Sequence, residues 1–215
     1  LALSLNEDGA VHLRGRAAPF LGALLALAES QPADRAGLRL HGVPGLAELL
    51  GSDALGALVP GMRRVRAILF DKSPGTNWSL GWHQDRTIAV RERQEVAGFG
   101  PWSMKQEMFH VEPPFALIER MRTIRVHLDP VPEDNAPLLI APGSHRLGRI
   151  PERDLATVVE QCGTATCLAE AGDVWLYATP IVHASAASSG ARHRRVLQVD
   201  FSDEVLPAPL HWLGV

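Results

Sequence analysis

The segment Trp82-His83-Gln84-Asp85 sets an imidazole and a carboxylate two positions apart. In extended backbone, residues i and i+2 point to one face, so His83 and Asp85 would stand side by side with Gln84 turned away. Two such groups do not hold a metal alone. Far along the chain, Pro180-Ile181-Val182-His183-Ala184-Ser185 offers a third donor in His183. Arg194 follows it, a permanent cation whose fork suits a carboxylate. Two histidines and one carboxylate on one side of a metal leave positions open, the pattern of non-haem Fe(II) that must bind a co-substrate and O2. The chain has 9 histidines and His-x-Asp is a common spacing, so on pattern alone a surface pair is an equal alternative.

The rest of the chain must be able to position such a set. Its 215 residues are 46% hydrophobic, enough for the core of a single domain, and β-rich barrels often reach this size undivided. A net charge of −3 offers no basic face for nucleic acid. The most apolar run, residues 17–28, is broken by Pro19 and Gly22 and falls short of the roughly 20 residues of a membrane span. It also lacks the cleavage region of a signal peptide. The 2 cysteines, Cys162 and Cys167, are too few for a zinc site or disulfide framework and fit a reducing cytoplasm. The chain starts at Leu1 and not Met, which leaves room for residues before it.

Hydrophobic periodicity and turn residues predict helices over residues 17–30, 44–58, 115–122 and 151–162. Strands are expected over 10–14, 37–43, 62–71, 83–90, 123–128, 137–141, 164–168, 174–177 and 194–201. Residues 1–61 form a mainly helical flank and 62–202 a β core, within one domain spanning 1–215. Between residues 91 and 114, Gly98, Gly100, Pro101, Pro113 and Pro114 interrupt any pattern, and an irregular stretch this long is expected to be a lid. Helices followed by short strands with Gly/Pro turns make the fold class α+β, the strands forming a double-stranded β-helix (jelly-roll) barrel.

Trp82-His83-Gln84-Asp85, Pro142-Gly143-Ser144-His145, Gly172-Asp173-Val174 and His183-Ala184-Ser185 through Arg194-Arg195 resemble, in order and spacing, the phytanoyl-CoA dioxygenase family. The likeness covers about residues 62–202. It is similar in detail to a bacterial branch with the blocks His83 to Arg93, Phe99 to Trp102 and Arg125 to Asp129. The resemblance implies an Fe(II)- and 2-oxoglutarate-dependent oxygenase on a double-stranded β-helix. It implies metal ligation by His83, Asp85 and His183, with Arg194 on the distal carboxylate of 2-oxoglutarate and Ser185 assisting. Strand alternation allows only one of Arg194 and Arg195 to point inward, leaving Arg195 as a solvated charge. Lys72 and Asn77 could contact 2-oxoglutarate, with a surface-loop role as the alternative. Arg125 stands where some family members carry an aromatic residue, and could read a substrate carboxylate instead. His127 is expected to be a satisfied, half-buried histidine, and His145 part of a structural turn.

Relatives that halogenate lack the ligand carboxylate, so Asp85 implies hydroxylation of a C–H bond by O2, with succinate and CO2 as co-products. The substrate is expected to be a small molecule, with Gln84, Arg86, Trp102 and His110 as candidate contacts. The cations and aromatic groups of the lid stretch suit a small anionic or amphipathic metabolite. Solvated charges on a loop are the plain alternative. A jelly-roll metalloprotein with isomerase or hydrolase chemistry would keep the three ligands but have no use for a carboxylate clamp at Arg194 and Ser185. A non-catalytic binding or sensor protein, or a hydroxylase of protein side chains, would keep the fold. The oligomeric state is not encoded in any of these features.

Overall fold

The computed structural model describes residues 2–32, 35, 37–51, 53–73, 75, 78–188 and 193–215. Its elements run β1 (Ala10–Leu13), α1 (Leu21–Glu29), β2 (Gly37–Leu40), α2 (Leu46–Leu50), α3 (Asp53–Gly56), β3 (Arg63–Lys72), β4 (Leu80–His83), β5 (Ile88–Val90), β6 (Trp102–Lys105), β7 (Met108–Val111) and α4 (Phe115–Arg120). They continue β8 (Arg122–His127), β9 (Leu138–Ile140), α5 (Leu155–Cys162), β10 (Ala165–Cys167), β11 (Val174–Ala178), β12 (His183–Ser185) and β13 (Arg194–Ser202).

The strands assemble into a six-stranded sheet, β1-β11-β8-β13-β3-β2, and a four-stranded sheet, β10-β9-β12-β4. A three-stranded sheet, β5-β7-β6, lies beside them. All pairings are antiparallel. The two larger sheets are the halves of the expected double-stranded β-helix, flanked by helices, so the α+β jelly-roll expectation holds.

Successive residues of a strand face opposite ways, which gives the six-stranded sheet two distinct sides. Ala67 and Leu69 of β3, Ile124 and Val126 of β8, and Leu197 and Val199 of β13 pack with Leu24, Leu46 and Leu50 of the N-terminal helices. Arg195, on the same side, pairs with Asp129 at 2.7 Å and Glu29 at 3.3 Å. The other side turns Arg66, Ile68, Phe70 and Lys72 of β3, Arg125 of β8 and Arg194 and Gln198 of β13 into a cavity between the sheets.

Three expectations need adjustment. The strands expected over 10–14 and 37–43 are present as β1 and β2, but they are the two edge strands of the main sheet, so residues 1–61 contribute to the β core as well as to the helical flank. The strand expected over 83–90 is broken: β4 ends at His83 in one sheet and β5 begins at Ile88 in another, with residues 84–87 crossing between them. Residues 91–114 are not irregular throughout, since β6 and β7 form a hairpin paired with β5. Its turn, Gln106-Glu107, has φ of 51° and 62°, a conformation usually signalled by Asn-Gly, so it carried no recognisable turn chemistry. The C-terminal tail seals this region, with Leu206, Leu210 and Trp212 buried against Val90 and Val111.

Gly172 shows why one turn has the residue it does. Its φ is +89°, and a Cβ there would lie 3.0 Å from the Ala18 backbone. It delivers Asp173, whose carboxylate accepts from Gly15 N at 2.7 Å and Glu170 N at 2.9 Å and meets His12 Nε2 at 2.8 Å. Both cysteines are free; burial pushes the Cys167 thiol up to about 12, in keeping with a packing role.

Candidate metal centre

His83 and His183 lie on paired neighbours, β4 and β12, in direct register. Their ring centroids are 4.2 Å apart. Asp85 enters from the crossover after β4, and one donor atom from each of His83, Asp85 and His183 lies within 4.8 Å of the others. The imidazoles are oriented from their own backbone: His83 Nδ1 is 2.8 Å from Gly81 O, and His183 Nδ1 is 2.9 Å from Ile181 O. A carbonyl can only accept, so each Nδ1 carries the proton and each Nε2 keeps its lone pair. Burial, then His83, holds His183 at about 4, keeping the ring neutral. Burial disfavours the Asp85 carboxylate, but Arg66, then His183 and His83, outweigh it and keep its pKa below the ordinary value. Arg66 Nη2 is 3.7 Å from Asp85 Oδ2, while its Nε is 2.5 Å from Asp200 Oδ2. Asp200 also accepts from Thr123 Oγ1 at 2.9 Å. Neutral imidazole donors and an ionised carboxylate facing one point are what a divalent first-row metal requires.

Beyond this point the cavity, of about 390 Å³, carries a second cluster. Lys72 Nζ donates to Ser185 Oγ at 3.0 Å and to Ala186 O at 2.7 Å. Arg194 Nη1 donates to the same Ser185 Oγ at 3.2 Å and to Ala136 O. Arg125 Nη1 donates to Gln198 Oε1 at 3.1 Å, and its guanidinium lies 5.2 Å from the centre of the Phe70 ring. These three side chains are buried, and none has an acidic partner among the described residues. Burial, then Arg194 and Arg125, lowers Lys72 to about 7, and burial with Arg125 lowers Arg194 to about 9. The buried Nε atoms of Arg194 and Arg125 have no hydrogen-bond partner among the described residues. Uncompensated buried cations are costly, and an organic carboxylate is the group that would neutralise and satisfy them. The donor set thus fits iron, and the cation set fits one end of a 2-oxoglutarate.

Other expected site residues fall in different places. Lys72 is the last residue of β3 and 1% exposed, so its surface-loop alternative is excluded. Asn77 lies outside the described residues. Gln84 lines the cavity but its amide is engaged by backbone: Nε2 donates to Gly148 O and Pro180 O, and Oε1 accepts from Ile150 N. It ties loops together. Arg86 also lines the cavity, donating to Ile150 O. Trp102 does not reach the cavity; it packs in the cluster around Val90 and Val111, with Arg93 5.7 Å from its ring centre. His110 is fully buried behind the cavity wall and accepts from Arg39 Nε at 3.4 Å. His127 is buried, not half-buried, and neither ring nitrogen has a partner among the described residues.

Arg39 and Arg66 line the cavity and were missed from sequence. Arg66 had a signal: the alternation that puts Ile68 and Phe70 on one face of β3 extends to Arg66 on one side and Lys72 on the other.

A search by sequence among curated proteins finds no match to the chain. Solved structures match it closely in shape. EctD from S. alaskensis with 2-oxoglutarate and 5-hydroxyectoine aligns at TM-score 0.66 and 17% identity, over 98% of this chain and 80% of that one. AviO1 from Streptomyces viridochromogenes Tue57 aligns at TM-score 0.65 and 19% identity, over 94% and 93%. SnoN, a non-heme alpha-ketoglutarate-dependent epimerase from nogalamycin biosynthesis, aligns at 0.60 and 19%, over 93% and 79%. The phytanoyl-CoA dioxygenase family model matches residues 43–196, most of the length and all three converging donors. The chain therefore belongs to the phytanoyl-CoA dioxygenase family of Fe(II)- and 2-oxoglutarate-dependent enzymes.

Proposed function

We propose that the protein hydroxylates an unactivated C–H bond of a small metabolite, with Fe(II) held by His83, Asp85 and His183. In this reading Arg194, Ser185 and Lys72 bind the distal carboxylate of 2-oxoglutarate, and Arg125 lies beside it. The observation that carries the proposal is that three converging donors and an acid-free cation cluster share one cavity. When bound, iron and 2-oxoglutarate supply oxidation by O2, with succinate and CO2 as co-products.

The chain's own residues have separable tasks. The two imidazoles present Nε2 lone pairs in an orientation fixed through Nδ1. Arg66 keeps Asp85 ionised and aimed. Arg194 and Lys72 supply positive charge, and Ser185 Oγ accepts from both while its own proton points to Ala186 O at 3.3 Å and Ala136 O at 3.4 Å, long contacts that a bound carboxylate oxygen would replace. Ile68, Phe70, Trp78 and Leu138 give the cavity apolar walls that exclude water. A cavity of about 390 Å³ that must also admit the co-substrate leaves room for a small molecule only. With a carboxylate at Asp85, the position a halide would need is filled, which favours hydroxylation over halogenation.

The test is anaerobic addition of 2-oxoglutarate to the Fe(II)-loaded protein, followed by O2. A weak visible chelate band, then succinate and a product carrying one oxygen atom from ¹⁸O2, is the expected result. Iron binding without a band would replace this reading with non-oxidative metal chemistry. The likeness to SnoN supports a second reading within the class, for which succinate would form while the product is an isomer with no added oxygen, the second atom of O2 leaving as water with two electrons from an added reductant such as ascorbate.

A further inference from the structure

The cavity holds more positive charge than a 2-oxoglutarate accounts for. Lys72 and Arg194 face each other at one end of the β3–β13 pair, where they are directly in register. Arg66 sits six residues back along β3, roughly 20 Å of strand away, beside Asp85. At this second end, Arg66 is engaged by Asp200 and by Thr87 O. Two further cations here, Arg39 of β2 and Lys105 of β6, also line the cavity, and neither has an acidic partner within ion-pair distance among the described residues.

Arg39 is fixed by polar contacts at its backbone and at its side chain. Its Nε donates to His110 Nε2 at 3.4 Å, and His110 Nδ1 is 2.9 Å from Met108 O, which fixes the tautomer that leaves Nε2 an acceptor. Burial presses His110 down to about 4, so the ring stays neutral. Arg39 N donates to Gln106 Oε1 at 2.8 Å, and Gln106 Nε2 donates to Gly37 O at 2.8 Å, which straps the hairpin tip to the edge of β2. Gln106 and Glu107 both have positive φ, as the two-residue turn between β6 and β7 requires, and that turn presents the Gln106 amide to β2. The strap brings Lys105, the residue before the turn, to the cavity beside Arg39. Among the described residues, the terminal nitrogens of Arg39 and the Lys105 ammonium have no hydrogen-bond or ion-pair partner, which leaves their donors for a ligand.

We propose that the primary substrate carries a compact oxyanion, a carboxylate or a phosphate, and that Arg39 and Lys105 bind it on the opposite side of the metal centre from Arg194 and Lys72. This inference rests on the iron and 2-oxoglutarate reading above and narrows its substrate class. The anion anchors one end of the molecule, and the C–H bond to be attacked lies on the part that projects past Asp85.

The test uses the full chain loaded with Fe(II) and saturating 2-oxoglutarate without O2, titrated calorimetrically with inorganic phosphate and, separately, acetate. Saturable binding of at least one is expected, weakened about tenfold or more in Arg39→Gln and in Lys105→Gln while the visible chelate band persists. Lys105 is exposed, so its variant keeps the fold should Arg39→Gln lose it. The tighter of the two probes assigns the anion as phosphate or carboxylate. No saturable binding despite a normal band overturns the inference, as does binding unchanged in Lys105→Gln. Loss of the band in Lys105→Gln also overturns it, because that cation would then belong to the co-substrate. A wild-type protein that gives no band, visible before any anion is added, refutes the 2-oxoglutarate reading and this inference with it.

Discussion

The two sides of the six-stranded sheet share the same strands but are built from opposite materials. Toward the helices, β3, β8 and β13 present Leu69, Val126 and Leu197, all nearly inaccessible. Toward the cavity the same three strands present Lys72, Arg125 and Arg194, equally inaccessible. Burial of apolar surface contributes to stability, about 25 cal/mol per Å², whereas burial of unpaired cations opposes it. The helix side therefore has to stabilise the sheet while the cavity side is left electrostatically uncompensated until a carboxylate arrives. A shift of one residue in register would exchange the two sides, so the hydrophobic pattern that fixes the core also fixes where the cations point.

The sharpest way to break this division is at the donors. Asp85→Ala or His183→Ala is expected to reduce Fe(II) affinity and turnover by more than about 100-fold with the apolar side intact, checked by metal titration and circular dichroism. Retention of full activity would sink the ligand assignment. Next in size, Arg194→Ala should weaken 2-oxoglutarate binding on the order of 100-fold. Arg195→Ala, one residue on, should change it by less than about twofold and instead lower stability by about 1–2 kcal/mol through loss of the Asp129 pair. A reversal of these two results would mean that the sides are misassigned. Leu197→Ala probes the other side: about 2–5 kcal/mol of stability should go, read by denaturant unfolding, with 2-oxoglutarate affinity in the surviving folded protein unchanged.

The smallest effect is a pH dependence. Lys72 stands at about 7 in the free cavity, against an ordinary 10.5, because burial and two neighbouring arginines disfavour its charged form. Below pH 7 the ammonium is already present to meet a carboxylate. Above it, binding must take up a proton, so 2-oxoglutarate affinity should fall as pH rises, by about tenfold between pH 7 and 8.5. Lys72→Met should bind more weakly at pH 6.5 and show a flat profile over that window. A wild-type profile that is itself flat would show that Lys72 does not sense the co-substrate.

Much of this division was legible in the sequence. Alternation over residues 62–71 and 194–201 predicted β3 and β13, and predicted that only one of Arg194 and Arg195 faces inward; in the structure Arg194 is buried in the cavity wall, but Arg195 is not the solvated charge expected, because Asp129 and Glu29 hold it against the helix side. The donors His83, Asp85 and His183 were found from residue types and family likeness, and they converge even though the strand between His83 and Ile88 is broken. What escaped detection depends on how sheets meet. Arg39 reaches the cavity only because β2 closes the edge of the main sheet, whereas Lys105 was among the cations read in the 91–114 stretch, and what the sequence did not show is the hairpin, strapped to that edge, that carries it there. Gln84 and Trp102 have residue types suited to binding, yet one is claimed by backbone groups and the other by a core, and neither fate is written in local spacing.

His83 and His183 each lean on a carbonyl two residues earlier in their own segment. An orientation set so locally is insulated from the side chains around it. Residues at the far wall, such as Arg39 and Lys105, can change with the substrate while both imidazoles keep their aim. The centre is in that sense a cassette, and the adaptable part of the protein is the wall that faces it.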